Sequence, residues 1–189
     1  MARFRIDLPD VDLRIQTSDR DLDLVGEGIP LGVRGGVPGD WPQYDAAILA
    51  PEVIFPVCAP THLLRWSAPA SASDLLAHPL IHLDEPFRSA TTWKDWFTAQ
   101  GIAPHLVPKG LQINDYVLVI QSVIEGQGVA LGWHHLIEGL VAKGVLVRLT
   151  DQTLATGKDF HVIWPRDRLL SRAAIQVRNW LLAQPGPTA

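Results

Sequence analysis

Short apolar, β-like runs alternate with segments of helical periodicity along the whole chain, and this alternation restricts the fold more than any single motif. It is the pattern of an α/β fold in which helices cover largely parallel sheets. Residues 11–16 alternate apolar and polar and read as a half-exposed strand. Ser18 or Asp19 then caps a short helix carrying Leu22, Leu24 and Val25, ended by Gly26 and Gly28. Further strands are expected at 30–34, 53–58, 80–83, 129–132, 145–149 and 160–164. The run 53–58 is apolar throughout, as a strand buried on both faces should be. Short helices are expected around 62–64 and 73–76. Trp93, Trp96 and Phe97 mark another by their spacing, ending near Gly101, and read as a core stripe. Residues 117–124 form an apolar helix stopped at Gly126 or Gly128, one more helix lies near 136–141, and the last runs over 173–182.

The 189 residues suit one domain, or two small lobes sharing a hinge. With 47% hydrophobic and 19% charged residues the chain can build an ordinary globular core. A net charge of −4 and dispersed arginines argue against nucleic-acid binding by this chain alone. The single cysteine, Cys58, excludes an intrachain disulfide and a zinc cluster of thiolates. Inside the 53–58 run it reads as a buried structural thiol. No apolar leader and no membrane-length apolar stretch is present, so a cytoplasmic location without membrane contact is expected.

No catalytic constellation emerges, and an enzyme, a metal site and a cofactor are not expected. His134 and His135 are adjacent, so on a helix start they point about 100° apart, and no acid or cysteine repeats at ligand spacing. His62, His78, His82, His105 and His161 follow no motif, and Ser122 lacks a nucleophile elbow. Gly35-Gly36 and Gly126-Gln127-Gly128 read as turns. Ligands of open α/β sheets sit outside the carboxyl ends of strands, where loops converge. That rule selects Arg34 and Gly35, Ala59 and Pro60, Asp84, Asn114 and Asp115, and Trp133 and His134 as ligand-binding candidates. Asn114 or Asp115 would bond a ligand or cap the following helix. Trp133 would supply an aromatic wall and His134 a hydrogen-bonding group. Arg34 would grip an anion, or pair with Asp23 or Glu27.

An ordered set of segments then points to a family. Asp21-Leu22-Asp23-Leu24-Val25, Glu27-Gly28 and Leu31-Gly32-Val33-Arg34-Gly35-Gly36 come first. Phe55-Pro56-Val57-Cys58-Ala59-Pro60 follows, then Leu75 with His78-Pro79-Leu80-Ile81. Asn114-Asp115-Tyr116 and Gly126-Gln127-Gly128-Val129-Ala130-Leu131-Gly132 complete the set. In this order and spacing, over residues 3–182, the chain resembles the effector-binding domain of LysR-type transcription regulators, in wording closest to the glycine-cleavage and β-lactamase regulators.

The resemblance implies a fold like type 2 periplasmic binding proteins, with two Rossmann-like lobes around a hinged cleft. Lobe I would comprise 1–58 and 160–189, lobe II 61–158, with hinge crossings near 59–60 and 158–159. A small organic effector, an amino acid or a carboxylate, would bind the cleft, and sensing domains would pair in a homo-oligomer. DNA would be bound only through an N-terminal winged helix-turn-helix that is not part of this sequence. Ala2-Arg3-Phe4 followed by Leu8-Pro9-Asp10 resembles the family's helix after the first strand, so the first strand of lobe I is also expected to be missing. Its loss would leave open sheet edges prone to aggregation. The alternatives are a solute-binding protein or an enzyme of the same fold, and a non-functional gene fragment.

Overall fold

A computed structural model describes residues 3–18, 20–85 and 90–184. Its strands are β1 (Gly32–Gly35), β2 (Tyr44–Ala50), β3 (Val53–Cys58), β4 (Ile81–Leu83), β5 (Leu111–Ile113), β6 (Ala130–Trp133), β7 (Val147–Arg148), β8 (Leu154–Ala155) and β9 (Phe160–Pro165). The α-helices are α1 (Phe4–Asp7), α2 (Trp93–Ala99), α3 (Tyr116–Ile124), α4 (His134–Ala142) and α5 (Arg172–Leu182). The fold is mixed α/β, and the chain forms two compact units, one ending at residue 52 and resuming at 157, the other spanning 53–156.

In the first unit β9 lies between β1 and β2 and pairs antiparallel with both. Leu24, Trp41, Tyr44 and Ile163 form its apolar cluster. Ser171 starts α5 by accepting the Ala174 N–H at 3.2 Å, and the helix buries Ala174 and Val177, one turn apart. Trp180 of α5 meets Phe4 of α1 edge to face at 5.2 Å and donates its indole N–H to Asp7 at 2.9 Å.

Two sequence expectations fail in this unit. Residues 11–16 enter no ladder, and Ile15 stays 64% exposed. Alternation describes which face a strand would bury, but a strand forms only where a neighbour takes its backbone groups. The helix expected around Leu22 to Val25 is a set of turns instead. Asp23 accepts the Val25 N–H at 3.1 Å and the Tyr44 hydroxyl takes the Leu24 N–H at 3.0 Å, so side chains outcompete the helical ladder. Ser18 accepts the Arg20 N–H at 3.0 Å rather than capping a helix; its alternative, Asp19, lies outside the described residues.

The second unit is built on β3, which is buried along nearly its whole length. β6 pairs along one edge of β3, while β7 and β8 pair along the other. A parallel bridge from Leu80 to Val129 joins β6 to the parallel pair β4–β5. The strand was expected in lobe I; its place here follows from both of its edges being taken by strands of this unit. The expected largely parallel pairing is also corrected. β4, β5 and β6 share a direction, but every ladder to β3 is antiparallel, as are both ladders of the first unit.

Phe55, Val57, Ile81, Val119, Val123, Ala130, Ile137 and Leu146 make the core of this unit. Thr92 and Asp95 form a capping box at the start of α2, and Trp93, Trp96 and Phe97 are all buried, as a core stripe requires. The Trp93 indole also donates to the Ile81 carbonyl at 2.9 Å. Gly101 and Gly126, at φ 77° and 75°, end the segments after α2 and α3 in the left-handed region. Cys58 is fully buried, and burial pushes its thiol up to about 11, which leaves it inert.

Candidate functional site

Because β4, β5 and β6 run the same way, their carboxyl ends lie at one end of the second unit's sheet. Leu83 stands opposite Ile113, and the Asp84 N–H donates to the Ile113 carbonyl at 2.9 Å, which brings exposed Asp84 beside exposed Asn114. Asp115 follows as the cap of α3, its Oδ1 accepting the Leu118 N–H at 3.0 Å. Tyr116 then reaches across to β6. Its hydroxyl accepts the Trp133 N–H at 3.0 Å, and the two rings meet edge to face at 5.0 Å. Trp133 is 5% exposed and ends β6, and His134 begins α4 with its ring 5.5 Å from that of Phe55. Asp84, Asn114, Asp115, Trp133 and His134 therefore share one end of the sheet.

The reversed strand decides what else belongs there. Ile54 pairs with Trp133 on one side and Leu154 on the other, so the start of β3 lies at this same end. Both chain crossings, after Glu52 and after Thr156, leave the second unit from it. Ala59 and Pro60 follow the opposite end of β3, five residues from Ile54, or about 16 Å along an extended strand. The carboxyl-end rule suits parallel strands, and β3 runs the other way.

Arg34 and Gly35 belong to the first unit. The Arg34 guanidinium donates to the Leu22 carbonyl, lies 3.6 Å from an Asp21 carboxylate oxygen, and sits 5.4 Å from the Tyr44 ring. Its ion-pair partner is Asp21, where Asp23 or Glu27 was expected; Asp23 accepts the Tyr44 hydroxyl at 3.2 Å. These contacts engage Nε and one Nη of a guanidinium that carries five N–H donors. At Gly35 a Cβ would come within 3.3 Å of the Phe160 ring, so packing accounts for this glycine.

Burial sets the charge state of two groups beside the site. It raises the Tyr116 phenol above its ordinary range, only partly offset by the Trp133 N–H, so the hydroxyl stays protonated. His135 is lowered to about 4, first by burial and then by His134, and is neutral at physiological pH. Among the described residues no three His, Cys, Asp or Glu side chains are grouped to hold a metal ion. A cavity of about 270 Å³ in the second unit is lined by 69–71 and 148–152 and includes none of the residues selected from the sequence. Tyr116 was not selected. Its signal was an aromatic residue directly after the Asn114-Asp115 pair, where the first turn of a helix can turn back onto a neighbouring strand.

A profile described as LysR substrate binding domain matches residues 1–186. The chain belongs to that family. It is 30% identical to the HTH-type transcriptional activator AmpR of Rhodobacter capsulatus, over 97% of this chain and 60% of that protein. It is 26% identical to the glycine cleavage system transcriptional activator of Escherichia coli K12, over 97% of this chain and 59% of that protein. The LysR-type relatives named are transcription regulators rather than enzymes, and the chain spans about 60% of their length. Among solved structures, the effector domain of AmpR from Pseudomonas aeruginosa has a TM-score of 0.74 at 23% identity, covering 96% of this chain and 84% of that one. The CrgA regulatory domain of Neisseria meningitidis has a TM-score of 0.76 at 20% identity, covering 96% and 87%. These likenesses show the fold of LysR effector domains, which is of the type 2 periplasmic-binding-protein kind. Among the described residues no helix is long and apolar enough to cross a membrane.

Proposed function

We propose that this chain is the effector-sensing part of a LysR-type regulator, binding a small organic molecule where β4, β5 and β6 end. The whole protein would act in the cytoplasm as a homo-oligomer and bind DNA through a separate N-terminal segment. Its hinge would lie at the two crossings, 52–53 and 156–157, rather than at 59–60.

The observation that carries this reading is the gathering of Asp84, Asn114, Asp115, Trp133 and His134 at the end of the sheet from which both crossings depart. The exposed groups there are two carboxylates and an amide, a set that recognises hydrogen-bond donors and cationic amines. An amino acid fits this set better than a simple dicarboxylate, since its ammonium can pair with the exposed Asp84 and Asp115 carboxylates, which would repel a second acid.

Isothermal titration of the chain with the common amino acids and with succinate tests the reading. One amino acid is expected to bind at a single site, and Asn114→Ala and Asp84→Asn are each expected to weaken it about tenfold, near 1.4 kcal/mol. Affinity unchanged in both variants would place the site elsewhere, and tighter binding of succinate than of any amino acid would remove the amine assignment.

A further inference from the structure

At the end of the second unit away from Trp133, two histidines that are 16 residues apart in sequence meet. His62 lies in the single 3-10 turn Pro60–Leu64 that follows β3, and His78 closes the 3-10 segment Ala72–Ala77 that precedes β4. Nε2 of His62 and Nδ1 of His78 are 2.9 Å apart, and the residues are only 2% and 7% exposed. Trp66 covers both rings, nearly parallel to His62 at 6.0 Å and tilted over His78 at 5.4 Å.

One neutral imidazole must donate and the other accept across such a contact. Between the two histidines runs the segment 65–71, whose last three residues, Pro69, Ala70 and Ser71, form one wall of the 270 Å³ cavity facing 148–152. The contact therefore ties together the two segments that bracket this wall, while Asp74 accepts the Ala70 and Ser71 N–H groups within it at 2.9 Å. We propose that the His62–His78 pair is a proton-operated clasp: closed when both rings are neutral, and opened by acid to loosen segment 65–71, which carries the wall residues 69–71.

The singly protonated pair can keep the contact, one imidazolium donating to one neutral imidazole; a second proton leaves two N–H groups facing each other at hydrogen-bond distance, so the contact breaks. Among the described residues, the titratable groups acting on the pair are the histidines themselves and Asp74. Burial lowers both histidines, His78 adds to the lowering of His62, and Asp74 opposes it at His78. The sign follows from linkage. The closed form binds protons more weakly than the open form, so closure is fully favoured above the ordinary histidine value of about 6.5 and is lost progressively below it.

Hydrogen exchange at the Arg65, Trp66 and His78 amides tests the clasp, since their N–H groups bond to His62 and Leu75 carbonyls beside it. Protection factors, corrected for the intrinsic pH dependence of exchange, are expected to fall about tenfold from pH 7.5 to 5 in the unaltered chain. They should become independent of pH in His62→Gln and His78→Gln. Ring ¹⁵N shifts of the unaltered chain provide a measurement that needs no variant. The two histidines should titrate together below their ordinary value, with the Trp66 indole signal moving in step. Flat protection in the unaltered chain, a full pH response surviving in both glutamine variants, or two independent titrations with Trp66 unmoved would each overturn the proposal.

Discussion

Each unit contains a tyrosine whose hydroxyl accepts a backbone N–H at 3.0 Å, and the two are used differently. In the first unit Tyr44 holds Leu24, a residue of a loop that covers a small cluster, and donates onward to Asp23. In the second unit Tyr116 holds Trp133, a residue at the end of a strand already fixed by its ladder to β3. One hydroxyl creates local order, while the other refines order that the sheet has imposed. The first unit should therefore depend on side-chain bonds to backbone, and the second on its packed core.

The largest test of that difference is in the core. Trp96→Ala, at a fully buried ring packed against Trp93 and Phe97, is expected to cost about 3–5 kcal/mol in urea unfolding. Leu24→Ala removes a smaller side chain from a loop able to collapse over the gap, and should cost about 2 kcal/mol. Equal losses would show that the first unit is as tightly packed as the second.

The tyrosines themselves come next. Tyr44→Phe leaves the Leu24 N–H without its acceptor and removes one of the donors to Asp23, for a loss of about 2 kcal/mol. Tyr116→Phe should cost about 1 kcal/mol, because β6 keeps its register on β3. Thermal unfolding ranks the two, and the reverse order would invert the reading of the hydroxyls.

The elements legible in the sequence were those whose causes are local. The apolar run 53–58, the spacing of Trp93, Trp96 and Phe97, and the glycines after α2 and α3 each carry their own explanation. β2 was missed because Asp45, Ala46 and Ala47 have little strand propensity of their own and are held by pairing with β9. The direction of β3 could not be read either, since a strand buried on both faces has the same pattern either way up. That single reversal sends Ala59 and Pro60 to one end of the sheet while Asp84, Asn114 and Trp133 share the other. His62 and His78 are invisible for a similar reason: 16 residues separate them, and only the sheet brings them together.

Helix caps offer a smaller comparison. Asp115 caps α3 in the second unit and Ser171 caps α5 in the first, by side-chain contacts of 3.0 and 3.2 Å. Replacing either by alanine should cost about 1 kcal/mol, measured as a shift of the urea midpoint at unchanged slope. Asp115→Ala should in addition weaken binding of the amino acid proposed above, which Ser171→Ala should not. If Asp115→Ala lowers stability alone, that residue is a cap and nothing more.

The smallest expected effect is at the surface of the first unit. Arg166 and Asp45 meet at 3.0 Å with side chains 55% and 43% exposed, so water and salt screen the pair. A double-mutant cycle with Asp45→Ala and Arg166→Ala should give a coupling of about 0.5 kcal/mol or less, falling further in high salt. The two single variants should nevertheless differ. Arg166 also donates to the Tyr44 carbonyl at 3.3 Å, and its backbone N–H bonds the Gln43 carbonyl at 3.1 Å, so it joins the turn before β2 to the end of β9. Alanine keeps the backbone bond and loses the guanidinium, so Arg166→Ala should cost more than Asp45→Ala. A coupling above about 1 kcal/mol would mean that ion pairing, rather than bonds to backbone, holds the loops of this unit in place.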